Sequence, residues 1–232
     1  MPSVNELLAA TILFAGGHFL LSSASLRKPL SRKLGNNGFQ IVYSLCVLAA
    51  FVWMLFAYAS APFVNLWFPA PALAWAPQVL MPIAFFAVVA GLTTPSATAV
   101  GGQKLLEDTP QSATRGIFTI TRHPFLWGTT LWAFSHLLAN GDAASIILMV
   151  GIAVLSLGGM HHIDQRREAA LGAAWGPYAM TTSLVPFAAI ASGRTKLDWR
   201  GIGWWRPLVA LVIHVVAMAL HPAVIGVSPF PG

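Results

Sequence analysis

Six apolar stretches, near 5–24, 38–60, 78–97, 124–139, 143–160 and 207–225, leave this chain few folds to choose from. A run of about 20 residues with scarcely any charge is a transmembrane helix, because only a helix satisfies its own backbone in lipid. Composition agrees. The chain is 56% hydrophobic and 9% charged, with a mean hydropathy of +0.70, whereas a soluble domain carries roughly a quarter charged residues. The expectation is an all-α, polytopic helix bundle of about six spans. It is read as one membrane domain over 1–232, with the lipid bilayer as its first partner and no nucleic acid.

The links between spans are informative. Spans 124–139 and 143–160 are short, and Asn140-Gly141-Asp142 reads as a tight turn between them. The stretch 61–77 holds Pro62, Pro69, Pro71 and Pro77, which bar a regular helix. It also holds Trp67 and Trp75, which suit the headgroup layer, so it reads as an interfacial loop.

Basic residues set the orientation. Arg27, Lys28, Arg32 and Lys33 follow the first span, and Lys104, Arg115 and Arg122 precede the fourth. Arg166, Arg167, Arg194, Lys196, Arg200 and Arg206 lie between the fifth and sixth. With six spans, all thirteen Lys and Arg fall on one side, which the positive-inside rule makes cytoplasmic. A bacterial-type inner membrane is expected, with both termini outside and 161–206 as the largest cytoplasmic piece. No Lys or Arg precedes Arg27, so the start reads as a retained span rather than a cleaved signal. The single cysteine, Cys46, lies mid-span and excludes a disulfide framework.

Seven histidines in so apolar a chain are the candidate chemistry. His123 precedes Pro124, which disfavours helical geometry for the histidine and suits the first helical position itself. Arg122 and His123 thus sit at the mouth of the fourth helix, beside its positive dipole end. That place fits a phosphate, a carboxylate or a haem propionate, or else a cap with lipid-headgroup contacts. His136 lies roughly 18 Å further along at 1.5 Å per residue, on a different face. An ionisable residue inside a span is a functional candidate, although one near a helix end also reaches water. His18 is deep in the first span beside Gly16 and Gly17, which admit another backbone or a flat ligand. His161 and His162 are adjacent, so at most one joins a given site. His214 and His221 share a face, which makes a metal site conceivable, but no carboxylate or thiolate accompanies them and they read as structural. By depth alone, His123 is the better partner for His18.

What is missing narrows the choice. The spans lack the carboxylate of a proton-coupled transporter. No P-loop, GxGxxG, HExxH or Gly-x-Ser-x-Gly occurs. Imidazoles in an apolar bundle suit haem iron or another transition metal.

Three segments resemble the NnrU family, membrane proteins associated with nitrite and nitric oxide reduction: "HFLLSSASLRKPL" (18–30), "RGIFTITRHPFLWGTTLWAFSHLLANGD" (115–142) and "TSLVPFAAIASGRTKL" (182–197). The superfamily includes the 15-cis-zeta-carotene isomerases. The resemblance implies a haem b protein whose iron promotes cis–trans isomerisation of a lipophilic polyene, or one that supports denitrification. It assigns the catalytic, metal-binding pair to His18 and His136, and leaves Arg122 and His123 to bind the cofactor's propionates or polar substrate groups. A cysteine of the isomerases, three residues before the second histidine, is Ala133 here. A second, more distant likeness is to isoprenylcysteine and phospholipid methyltransferases, through "RHPFLWG" and "REAALGAAWGPYAMTTSLVPF". It implies S-adenosylmethionine bound by Arg122, His123, Glu168 and Tyr178, although Phe187 stands where those families have arginine.

Overall fold

The structure, a computed structural model, describes residues 3–99, 102, 105–106 and 113–230. Lys104, counted above among the basic residues, lies outside them. The principal helices are α1 (Val4–Ser22), α2 (Ala24–Ser60), α3 (Ala76–Thr93), α4 (Pro124–Ala139), α5 (Ala143–Leu171), α6 (Trp175–Thr181) and α7 (Trp205–Ile225). Apart from one isolated bridge, Asn65 to Asp142, the described secondary structure is helical. The expected all-α membrane bundle is what the chain forms.

Among the described residues, five stretches are long and apolar enough to cross a membrane: Val4–Ser22, Ala24–Ser60, Leu73–Thr93, Ala143–Thr181 and Trp205–Ile225. The sixth expected span is helical too, but α4 has 16 residues, about 24 Å against a hydrocarbon core of about 30 Å. Two boundaries differ from expectation. The basic stretch after the first span is not a loop: 24–34 winds into helix, and Gly35 at φ 72° turns the chain into the apolar part of α2. The fifth helix does not stop near 160 but continues to Leu171. Gly158 and Gly159 stand at that expected end, but a glycine costs a helix only about 1 kcal/mol and does not break it as proline does, so the helix runs through them into the polar residues.

The described chain divides into two compact units, Met1–Ala74 with His136–Leu155, and Trp75–Ser135 with Ser156–Gly232. In the first, Ser3 caps α1 by accepting the Glu6 N–H at 3.2 Å. Leu7, Ala10, Thr11, Phe14 and Ala15 form the buried face of α1, and Ala50, Met54 and Ala57 that of α2. Both sets recur every three or four residues, as a helix–helix seam requires. Since lipid is as apolar as leucine, close packing over small side chains holds such a pair. Phe14 and Phe51 supply the bulk, with ring centroids 5.3 Å apart.

The proline-bearing stretch after α2 is non-helical only as far as residue 72, since Leu73–Trp75 forms a 3-10 turn and α3 begins at Ala76 with Pro77 in its first turn; its first part docks on the 140–142 turn. Gly141 O accepts from Leu66 N (2.8 Å) and Trp67 N (3.2 Å), while Val64 O accepts from Ala143 N at 2.9 Å. A Cβ on Gly141 would stand 1.8 Å from Trp67 O, so only glycine fits. Asp142 then caps α5 through the Ser145 N–H at 2.9 Å.

In the second unit α3 and α7 run antiparallel. Arg206 Nε, at the start of α7, donates to Thr93 Oγ1 at 2.8 Å, and Gln78 Nε2, at the start of α3, donates to Pro229 O at 2.6 Å. His214 is buried on that seam, its ring 5.8 Å from Phe85, and His221 bonds Val227 O at 2.8 Å through Nδ1. α3 also meets α4 backbone to backbone. A Cβ on Gly91 would lie 2.7 Å from Phe125 N, and one on Gly128 2.7 Å from Ala84 O.

A polar latch closes the unit. Asp198 caps the single turn Trp199–Ile202 by accepting Gly201 N at 2.9 Å, and its other oxygen accepts Gly116 N at 2.8 Å. Those two N–H groups hold its carboxyl below the ordinary range.

Candidate functional site

The start of α4 is pinned by a segment some sixty residues later. Arg122 N donates to Ser183 O at 2.9 Å, Thr121 Oγ1 and Trp127 Nε1 donate to Leu184 O at 2.9 and 2.8 Å, and Phe187 N donates to Ile120 O at 2.8 Å. Phe187 reaches that bond with φ 64°, a left-handed conformation that costs a non-glycine residue roughly 1–2 kcal/mol. Such a clamp fixes where the Arg122 and His123 side chains point.

They point at one carboxylate. Arg122 Nε donates to Asp164 Oδ2 and His123 Nε2 to Asp164 Oδ1, both at 2.7 Å. The His123 side chain is 2% exposed and that of Asp164 12%. The anion expected at this helix start is therefore supplied by the chain itself, from α5. A propionate is not needed to give Arg122 a counter-charge. Nor is His123 placed to ligate iron through Nε2, the nitrogen its depth-based pairing with His18 would most easily use.

Asp164 had no place in the sequence-based site because the chain past 160 reads as a polar linker. With α5 intact to Leu171, the signal is plain. His161, Asp164, Gln165 and Glu168 follow i, i+3, i+4, i+7, one helical face, and with Gly172 just past the helix end they line a cleft of about 520 Å³. Arg122 and Arg194 line it from other segments, and Trp175, Met180 and Leu184 give it apolar walls. His161 Nε2 lies 2.9 Å from Gln165 Nε2. Of the four residues of the methyltransferase-like pattern, Arg122 and Glu168 share this cleft and His123 joins it through Asp164. Tyr178 is fully buried with Trp175, Ala97, Leu106 and Ala113, and its hydroxyl has no hydrogen-bond partner among the described residues.

His18 belongs to the first unit. Its ring is half-buried, edge-on to Phe14 (centroids 4.7 Å apart) and to Tyr43 (6.0 Å). His18 Nδ1 bonds Phe14 O, one turn back, at 2.7 Å. A carbonyl accepts only, so the proton is on Nδ1 and the Nε2 lone pair is left for a ligand. Metal-bound imidazoles have this outer bond, which fixes the tautomer and raises ligand basicity. A Cβ on Gly16 or Gly17 would meet nothing within 4 Å. Among the described residues nothing packs against these glycines, and the surface beside them is open. The donor and the surface fit one axial position of a haem. His136 stands in the last turn of α4, half-buried, its carbonyl accepting from the backbone and side-chain N–H groups of Asn140 at 2.9 and 2.8 Å.

Residues 6–229 match the NnrU protein family. The chain belongs to the NnrU family. It is also similar to two chloroplastic 15-cis-zeta-carotene isomerases. The Zea mays protein is 34% identical over 110 residues, covering 46% of this chain and 30% of its own length. The Arabidopsis thaliana protein is 32% identical over 116 residues, covering 49% and 32%. The matched part is about a third of the length of these curated relatives. No solved structure matches.

Proposed function

We propose that this NnrU-family chain is a membrane-embedded haem b protein that isomerises a lipophilic polyene, with His18 and His136 as the iron ligands. The observation that carries the reading is the His18 imidazole, its Nδ1–H held by Phe14 O and its Nε2 left for a metal. The name of the plant relatives, 15-cis-zeta-carotene isomerase, supports the reaction class. When bound, the haem would supply an iron centre that engages a conjugated chain reversibly, so that a double bond rotates with no net gain or loss of electrons.

The chain's own residues do the rest. Phe14 and Tyr43 steady the His18 ring by edge contacts, which limits its rotation about the Cβ–Cγ bond. Gly16 and Gly17 leave the adjoining surface clear for a planar group. Exposed apolar side chains on the spans, such as Leu13, Leu20, Leu45 and Leu48, keep the surroundings dry and soluble to a hydrocarbon substrate. Ala133 offers no thiolate, so ligand exchange with sulfur at that place is not part of the cycle.

The test is a visible spectrum of protein purified from cells fed a haem precursor, oxidised and reduced, beside His18→Ala and His136→Ala. The wild type gives a Soret band that each substitution abolishes or shifts, and the reduced protein converts 15-cis-zeta-carotene to its trans form by chromatography. A colourless wild type, or a Soret band unaltered in both variants, removes the axial assignment.

A further inference from the structure

The cleft on α5 has a charge pattern that its own contacts leave unresolved. The Asp164 charge is answered within the protein, by Arg122 and His123. Two further charges line the same cavity, Glu168 on α5 and Arg194 beyond Phe187. Among the described residues neither forms an ion pair, so they stand more than 4.0 Å apart without meeting.

Arg194 is not a loose surface cation. Its Nε donates to Ser192 Oγ at 2.8 Å, and its Nη1 donates to Met180 O at 2.9 Å and Thr182 O at 3.2 Å. Three acceptors fix the guanidinium at the rim, and a guanidinium so held keeps further N–H donors to offer. Arg122 is held in the same manner from behind by Asp164 and lines the cleft as well. Pre-organised guanidiniums recognise phosphate and carboxylate at a smaller entropy cost than a free lysine would.

A plain anion gains Arg194 but is repelled by Glu168, and a plain cation meets the reverse. A ligand with both signs satisfies both, while Trp175, Met180 and Leu184 cover its apolar remainder. We propose that this cleft binds a zwitterion, its phosphate or carboxylate against Arg194 and Arg122 and its cationic nitrogen or sulfonium against Glu168. The site is independent of the haem reading and lies wholly within the second unit. Two sources carry that chemistry: the headgroup of a zwitterionic membrane lipid, and a soluble zwitterion such as S-adenosylmethionine.

Isothermal calorimetry on the full chain in detergent tests this with three probes. Dihexanoylphosphatidylethanolamine stands for the lipid, S-adenosylmethionine for the soluble source, and dihexanoylphosphatidylglycerol for an anion lacking the cation. One of the two zwitterions binds saturably, at least about tenfold more tightly than phosphatidylglycerol, and which one binds identifies the source. Glu168→Gln and Arg194→Gln each weaken that binding about tenfold or more, the scale of one charge-assisted contact. Neither touches the Arg122–Asp164–His123 cluster, and an unchanged melting curve for Glu168→Gln excludes unfolding as the cause. The proposal is overturned if neither zwitterion binds, if phosphatidylglycerol binds as well as the tighter zwitterion, or if binding survives either substitution.

Discussion

Asp164 is a carboxylate that accepts from an arginine and a histidine at once, one on each oxygen. Its role is to hold the start of α4 against α5. In Asp164→Asn one carboxylate oxygen becomes an NH₂ facing an N–H donor, and a nearly buried arginine loses its counter-charge. Breaking a buried pair from one side costs about 3–5 kcal/mol, so this variant melts well below the wild type in detergent, whereas Glu168→Gln does not. Asp198 offers a milder test. Its folded pKa lies below its unfolded one, so the latch contributes fully above the unfolded value and fades as pH falls through the lower folded value. The protection factor of the Gly116 amide, its exchange relative to the intrinsic rate at each pH, therefore falls at pH values below about 4, near the reference carboxylate, and in Asp198→Asn it is low and nearly independent of pH in that range. Arg122 and His123 are legible from sequence because a helix start before Pro124 is a local signal. Asp164 is not, since its pairing spans 41 and 42 residues and no local periodicity encodes it.

Among the elements, two kinds of glycine do opposite work. Gly91 and Gly128 let α3 and α4 touch through their backbones, and a methyl group at either would overlap main-chain atoms. Gly128→Ala costs about 1–3 kcal/mol of overpacking, read as a lower melting temperature. Gly16 faces open space on α1, so Gly16→Ala leaves the fold as stable or up to about 1 kcal/mol more so. If a haem lies against that face, the same substitution still lowers its uptake, seen as a weaker Soret band at unchanged melting temperature. Equal uptake by Gly16→Ala argues against that face. The helices themselves were readable, because apolar runs with few charges admit no other structure in lipid. Their ends were less so. The polarity change at His161 marks where the apolar environment stops, not where hydrogen bonding along α5 stops. Likewise 24–34 is helical although its charges suit a loop, the break being set by Gly35 and not by the basic residues.

For the molecule as a whole, the question with the largest consequence is whether α4 crosses the bilayer. Its 16 residues are short, yet short helices cross where the bilayer thins or flanking residues reach the interface. If α4 crosses with the five longer spans, the count is even and Asn5 and Ser228 lie on one side, opposite Arg200. If it does not, the parity changes and Asn5 and Ser228 lie on opposite sides. We expect the even count, because it alone puts every described lysine and arginine on a single face. Single-cysteine variants Asn5→Cys, Ser228→Cys and Arg200→Cys, made with Cys46→Ser because Cys46 is exposed, decide this by labelling intact cells with a membrane-impermeant maleimide. Asn5→Cys and Ser228→Cys label from outside, and Arg200→Cys labels only after permeabilisation. Labelling of Arg200→Cys in intact cells, or a difference between the two terminal positions, would show that α4 dips into the membrane without crossing it or that the charge asymmetry does not set the orientation.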